Sequence, residues 1–229
     1  MILTPETVRP GSVLARLLRA LGAPERAGAD TLVLCPAPGE PAPDVRGWLA
    51  RHAAAGGPRL LVITRLGTHP DAASPRLREC WELEEAARAT GLPTLVLRLG
   101  PLLGPQSPFW LWLRGDPRLP RGGAKLLDPV AETDAVETLA RALDGRAAWE
   151  GWYEVAGPEV RSLAELAALA RTCGPRAAPG AGRCEPPMAE LEEHRLAEAG
   201  PWLEHFGMSV RPLAEHAREW ARAAMGSAA

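Results

Sequence analysis

Nucleophiles and metal ligands are sparse in this 229-residue chain, and their spacing excludes much of the chemistry such groups perform. Cys35, Cys80, Cys173 and Cys184 are scattered with no CxxC pair, so free thiols are expected rather than a disulfide framework or a zinc site. His52, His69, His194, His205 and His216 show no metal-ligand spacing and no convincing carboxylate partner. They read as surface or core residues, and no metal is expected. Glu192, Glu193, His194 and Arg195 read as a solvated, charged helical face. Lys125 is the only Lys, Tyr153 the only Tyr, and Asn is absent, which removes residue types that catalysis often needs.

The elements that would position any site alternate along the chain. The opening stretch "MILTPETVRPGSVLARLLRALG" reads as a short strand at Ile2–Thr4, a tight turn and a helix over 12–21. Thr31–Cys35 and Leu60–Thr64 are continuous apolar runs of the kind that form buried parallel strands. Thr94–Arg98 is a third. Helices are expected from Asp44 to about 55, from about 75 to 90 with Gly91 closing it, and from about 133 to 143. "GWYEVAGPE" holds a short strand, and Ser162 caps the helix that follows. "SPFWLWLRGDPRLPRGG" reads as a Pro/Gly-rich connection, 174–187 as a mobile loop, and 188–199 and 212–224 as helices. Strands alternating with helices predict an α/β fold with a parallel sheet. One core is expected over 1–172, with substrate-type insertions at about 105–130 and 151–160 and a C-terminal part, 173–229, packed on the same domain.

Composition narrows the partners. A net charge of −2, with 46% hydrophobic and 24% charged residues, gives no reason to expect nucleic acid or an anionic membrane. No apolar run reaches the roughly 18 residues of a membrane helix, and no basic segment followed by an apolar one opens the chain, so a cytoplasmic protein is expected.

Five stretches, in order, resemble the extended or atypical short-chain dehydrogenase/reductase superfamily, in its epimerase/dehydratase-like and NmrA-like branches. They are "GADTLVLCPAPG", "LLVITRLG", "ELEEAARATGLPTLVLRLGPLLGP", "LLDPVAETDAVETLARAL" and "WYEVAGPEVRSLAELAALA". The resemblance covers about residues 1–172 and implies a Rossmann-like sheet with an NAD(P) site at the first strand–helix turn. The family's G-x-x-G-x-x-G turn aligns here with Pro5, Val8 and Gly11, between Thr4 and Ser12. Pro5 has a fixed φ and no N–H, and Val8 puts a branched side chain where phosphate would approach. Glu6 adds negative charge at the same helix start. Only the packing glycine, Gly11, remains, with Arg9 as a substitute phosphate contact in the opposing reading.

Two further departures matter. Only Ala23–Asp30 separates the first helix from Thr31, too short for the helix and two strands that carry the family's ribose-recognising residue. Either the Thr31–Cys35 strand or the first helix must then change its usual place. The resemblance also implies a catalytic Ser and a Tyr-x-x-x-Lys pair, in which Lys lowers the Tyr pKa. Counted back from Glu84, the Tyr and Lys positions are Arg76 and Cys80, and the Ser position is Thr64 or Arg65. The only Tyr follows the only Lys, so no realignment restores that pair.

Thr64, Arg65, Arg76 and Cys80 are therefore the cleft candidates, with the two Arg able to bind an anion and Cys80 able to act as a nucleophile. Solvated arginines and a packing thiol are the preferred reading, because a reactive thiol needs an activating environment. Arg98, Gly100, Phe109, Trp110 and Trp112 are candidates for a ligand pocket or partner surface, with core packing at least as good an account. If Ile2–Thr4 is a sheet edge, it offers pairing to a second copy or a protein partner.

The leading expectation is a degenerate relative without cofactor or oxidoreductase chemistry, serving as a binding or partner subunit. The alternatives are an NAD(P)-dependent reductase or epimerase using Thr4, Thr7, Gly11, Ser12 and the Pro36 loop, and a cofactor-free isomerase or cyclase using Arg65, Arg76 and Trp110.

Overall fold

The structure is a computed structural model and describes residues 2–3, 31–35, 59–173, 191 and 194–226. Strand β1 is Ile2–Leu3, β2 Thr31–Leu34 and β3 Arg59–Arg65. Helix α1, Pro75–Arg88, leads to β4, Thr94–Leu99, and β5, Leu102–Leu103. Helix α2, Pro108–Arg114, and a 3₁₀ turn at Pro120–Gly123 precede β6, Leu126–Leu127, and β7, Val130–Ala131. Then come α3, Glu132–Leu143; β8, Trp152–Val155; β9, Arg161–Ser162; and α4, Leu163–Thr172. Helices α5, Gly200–Phe206, and α6, Leu213–Gly226, complete the described chain. No described helix is long and apolar enough to cross a membrane.

The chain divides into two compact units built from alternating segments. The first is Met1–Leu99, Val136–Glu154 and Gly200–Met208; the second is Gly100–Ala135, Val155–Ala199 and Ser209–Ala229.

The first unit carries a five-stranded sheet in the order β1-β2-β3-β4-β8. Strands β1 to β4 pair in parallel, with Leu3 opposite Val33, Leu34 opposite Val62 and Val62 opposite Val96. The Thr31 strand lies between β1 and β3, so β1 is the outermost strand of the described sheet. The five inner residues of β3 are all buried, as expected of an apolar run covered on both faces. Leu34, Leu60, Val62 and Val96 pack with Leu83 and Ala87 of α1. On α3 and α5, Trp202 is fully buried and its indole N–H donates to Thr138 Oγ1 at 3.1 Å. The Arg141 guanidinium donates to the Phe206 and Gly207 carbonyls, satisfying the carboxyl end of α5. Tyr153 of β8 stacks on His205 with ring centroids 4.3 Å apart.

The second unit is built around α2, α4 and α6. Trp110, Leu113, Leu163, Leu166, Ala170, Leu213 and Ala217 form its core, with Trp220 edge-on to Trp110 at 5.2 Å. Strands β5 and β7 pair in parallel, while β6 and β9 pair antiparallel. Backbone approach is close here: a Cβ on Gly100 would lie 2.2 Å from the Asp128 carbonyl oxygen, so only glycine fits. Ser162 caps α4 in a reciprocal capping box with Glu165.

Three expectations are corrected. The "SPFWLWLR" stretch is not a plain connection: Ser107 caps α2 by accepting from the Trp110 amide, and Pro108 occupies a first-turn position. The stretch 194–199 is not helical. Arg195 forms a bridge to Leu127, and both its N–H and its carbonyl are bonded across that bridge, to Leu126 O and Asp128 N. Arg195 is also buried rather than part of a solvated face. The helix α5 is the third difference, a single short element that the chain's periodicity does not reveal. The expected helices at 12–21 and 44–55, and the loop at 174–187, lie outside the described residues.

Candidate functional site

The sheet register builds the most specific arrangement in the first unit. Residues 60, 62 and 64 of β3 alternate onto the face that α1 covers, and β4 places Arg98 directly opposite Thr64. On α1, Leu77, Cys80, Leu83, Glu84 and Ala87 share the buried face at helical spacing. Glu84, with no exposed surface, therefore arrives above Thr64 and Arg98. Its Oε1 accepts from the Thr64 hydroxyl at 2.6 Å and from Arg98 Nε at 3.1 Å. Its Oε2 accepts from Arg98 Nη2 at 2.7 Å and from Arg88 Nη2 at 3.2 Å. Four donors fill the carboxylate's acceptor capacity, which is what a charge removed from water requires. The Arg98 guanidinium also lies over the Trp152 ring, 4.3 Å from its centroid, with Trp81 at 5.7 Å.

This network fixes the register of α1 on the sheet. Helix α1 connects two parallel strands and so runs opposite to them. Glu84 sits beside Thr64, near the carboxyl end of β3. Cys80 and Arg76, one and two turns nearer the amino end of α1, lie beyond it at the carboxyl edge of the sheet. Cys35 follows the last residue of β2, and Arg65 ends β3 at the same edge. Burial pushes the Cys35 thiol up to about 12, against the opposing fields of Arg65 and Arg76 and alongside that of Cys80. Those four residues are thus electrostatic neighbours, and Cys35 is a neutral thiol at physiological pH. Open α/β sheets hold ligands at this edge, outside the carboxyl ends of their strands.

The sequence candidates fall into three groups. Thr64, Arg65, Arg76 and Cys80 are brought together around this edge. Thr64 gives its hydroxyl to Glu84, and Cys80 is only 1% exposed within α1, which makes it a packing thiol. Arg98 and Gly100 are interior: Arg98 is committed to Glu84, and Gly100 lies against the backbone at Asp128. In the second unit Trp110 and Trp112 are buried in the core, and Phe109 stacks on Trp112 at 5.8 Å. The turn residues Thr4, Pro5, Thr7, Val8, Arg9, Gly11, Ser12 and Pro36 lie outside the described residues. Of the proposed edge strand, Ile2 and Leu3 are described, and there β1 pairs with β2.

Two features escaped the sequence reading. Glu84 entered the sequence reading only as the landmark for counting to Arg76 and Cys80; its interruption of an apolar helix face was the available signal for its buried network. In the second unit, His216 does have a carboxylate partner: its Nε2 lies 3.5 Å from Asp134 Oδ2, with the ring almost wholly buried. Burial pushes the Asp134 carboxyl up, opposed by His216 and Arg211. Eighty-odd intervening residues hide this pair from any spacing rule.

No protein-family model matches the chain, and no curated protein matches it in sequence. Solved structures do match. A MoeE5 structure in complex with UDP-glucuronic acid and NAD superposes with a TM-score of 0.66 at 18% identity, covering 93% of this chain and 85% of that one. A UDP-glucose 4-epimerase with UDP-glucose, from Thermotoga maritima, gives 0.63 at 16%, covering 95% and 84%. A dTDP-glucose 4,6-dehydratase in complex with NAD, from Bacillus anthracis, gives 0.62 at 13%, covering 94% and 78%. The expectation of no cofactor is corrected by these structures, because sheets of this fold hold NAD in two of the three. This chain has the Rossmann-like α/β fold, a parallel sheet flanked by helices, of the NAD-dependent epimerases and dehydratases.

Proposed function

We propose that this chain is an NAD(P)-type fold used for binding, which engages a nicotinamide dinucleotide at the carboxyl edge of its sheet without a Ser–Tyr–Lys proton relay. Bound nicotinamide would supply a hydride donor or acceptor. The described residues fit the frame for such a group: parallel strands ending at Leu34, Arg65 and Leu99 along one edge. They do not fit the proton transfer that accompanies hydride movement in the related fold. The observation that carries this reading is the commitment of Thr64. The hydroxyl nearest the family's Ser position donates at 2.6 Å to a buried carboxylate. Arg76 and Cys80 occupy the Tyr and Lys positions, so neither the phenol nor the ammonium of that relay is present there. Tyr153 is stacked on His205, and burial pushes its hydroxyl up from 10.0, away from a proton-exchange role. Such a chain would act as a ligand-binding subunit beside a partner that performs chemistry.

The test is fluorescence titration of the full chain with NADH and NADPH, followed by a search for hydride transfer to nucleotide-sugar and ketone acceptors. Saturable cofactor binding without turnover is expected. Turnover overturns the non-catalytic reading, and absence of binding at millimolar cofactor overturns the cofactor assignment.

A further inference from the structure

The second unit holds a buried histidine whose two ring nitrogens face opposite charges. His216, on α6, is almost wholly buried. Its Nε2 lies 3.5 Å from Oδ2 of Asp134 in the first turn of α3, an ion-pair contact without a closed hydrogen bond. Its Nδ1 lies 3.4 Å from Nη2 of Arg211, just ahead of α6. A guanidinium carries only donors, so Nδ1 accepts and the proton of the neutral ring sits on Nε2, toward Asp134. Arg211 has a second hold, since it donates to the Glu219 carboxylate at 2.6 and 3.1 Å. Glu219, on α6 itself, is also within electrostatic reach of His216. Among the described residues, the other elements packed against α6 meet it with uncharged groups: Val130 and Ala131 of β7, Leu166 and Ala170 of α4, and Trp110 of α2, which is edge-on to Trp220.

We propose that His216 is a proton-operated switch within the second unit: the neutral ring bridges Arg211 to Asp134, and the protonated ring keeps Asp134 and releases Arg211. A proton taken from solvent at Nδ1 sets N–H against N–H across 3.4 Å, a contact with two donors and no acceptor. Arg211 then falls back on Glu219, to which it is already bonded. On its other side the imidazolium gains, because Nε2 already faces a carboxylate. That carboxylate is costly as it stands: burial pushes Asp134 up, and His216 is foremost among the charges opposing the rise. Arg211 and Glu219 are half-exposed, so water reaches Nδ1 once the guanidinium turns away. Acid thereby tightens the tie between α6 and the first turn of α3 and loosens the turn that leads into α6. This inference does not depend on whether the chain binds a dinucleotide.

The experiment is an NMR pH series on the nitrogen-15-labelled full chain, from pH 8 to 5, following the His216 ring nitrogens and the Arg211 Nε. At the alkaline end, the His216 shifts should show a bare Nδ1 and a protonated Nε2. On acidification the His216 and Arg211 signals should move together, in one transition. Two variants then displace that transition in opposite directions. Asp134→Asn removes the attraction and moves it to lower pH, whereas Arg211→Gln removes the repulsion and moves it to higher pH. A merely structural role for either partner would not give opposite signs. An Nδ1–H ring at the alkaline end overturns the proposal, and so does the absence of any His216 transition in the folded protein. Arg211 signals that stay still while His216 titrates also overturn it, as does a transition that the variants leave in place. Should Asp134→Asn fail to fold, the half-exposed Arg211→Gln decides alone, and a transition at the wild-type pH or below it overturns the switch.

Discussion

Thr64 and Arg98 stand directly opposite each other on adjacent parallel strands and donate to the same carboxylate, that of Glu84. The register of the sheet makes them neighbours, and α1 delivers the acceptor from above. Removing Glu84 would leave a buried guanidinium without its counter-charge. Glu84→Ala is expected to cost about 3–5 kcal/mol, read as a lower midpoint in urea unfolding. Thr64→Val, which deletes one bond to a charged acceptor, is expected to cost about 1.5–3 kcal/mol. The double variant Glu84→Leu with Arg98→Met should recover much of the loss, because a matched apolar pair leaves no orphaned charge.

Cys35 makes a prediction with a pH sign. Its thiol is raised from 9.0 to about 12 by burial, so the folded state holds that proton more tightly than the unfolded chain. This contribution to stability is fully present below pH 9.0 and is lost as pH rises toward about 12. Cys35→Ser should flatten that part of the stability curve. Iodoacetamide at pH 8 should leave the native Cys35 largely unlabelled and modify it once the protein is unfolded, as peptide mass mapping would detect.

Two glycines should respond differently to the same substitution. Gly100→Ala forces a methyl to 2.2 Å from the Asp128 carbonyl and is expected to cost about 1–3 kcal/mol or to displace the backbone. Gly91→Ala meets no atom within 4 Å, and its cost is the left-handed backbone at φ +69 alone, about 1–2 kcal/mol. Thermal melts of the two variants would rank them.

The capping box of α4 carries a second pH dependence. The Ser162 amide and hydroxyl hold the Glu165 carboxyl below its ordinary 4.5. The associated stability is present above pH 4.5 and fades as pH falls through the lower folded value. Ser162→Ala is expected to cost about 1 kcal/mol at neutral pH. Glu165→Gln should remove the acid-side fall when melting temperatures are compared between pH 3 and 6.

How much of this was legible in the sequence depends on the range of the interaction. The apolar run at Leu60–Thr64 declares a buried strand by itself, and Ser162 with Glu165 declares a helix start, because both signals are local. The seven-residue helices α2 and α5 are too short for periodicity to separate them from their Pro and Gly surroundings. The carboxyl-edge candidates were reached through resemblance, which aligned Arg76 and Cys80. That Thr64 turns toward Glu84 depends on strand register and helix placement, which are long-range. The pairing of His216 with Asp134 was invisible for the same reason.

The alternation of the two units along the chain bears on how the protein is made. Each unit draws on three separated segments, and the first is not complete until Met208 has been synthesised. Trp202, which bonds Thr138 in that unit, emerges late. A ribosome must therefore pass residue 200 before either unit can close, and apolar strands such as β3 must wait in an unfinished state. Ending translation at residue 199 would strip a segment from both units at once. A stop at that point would thus yield not one healthy half but two damaged ones, a natural substrate for chaperones and proteases.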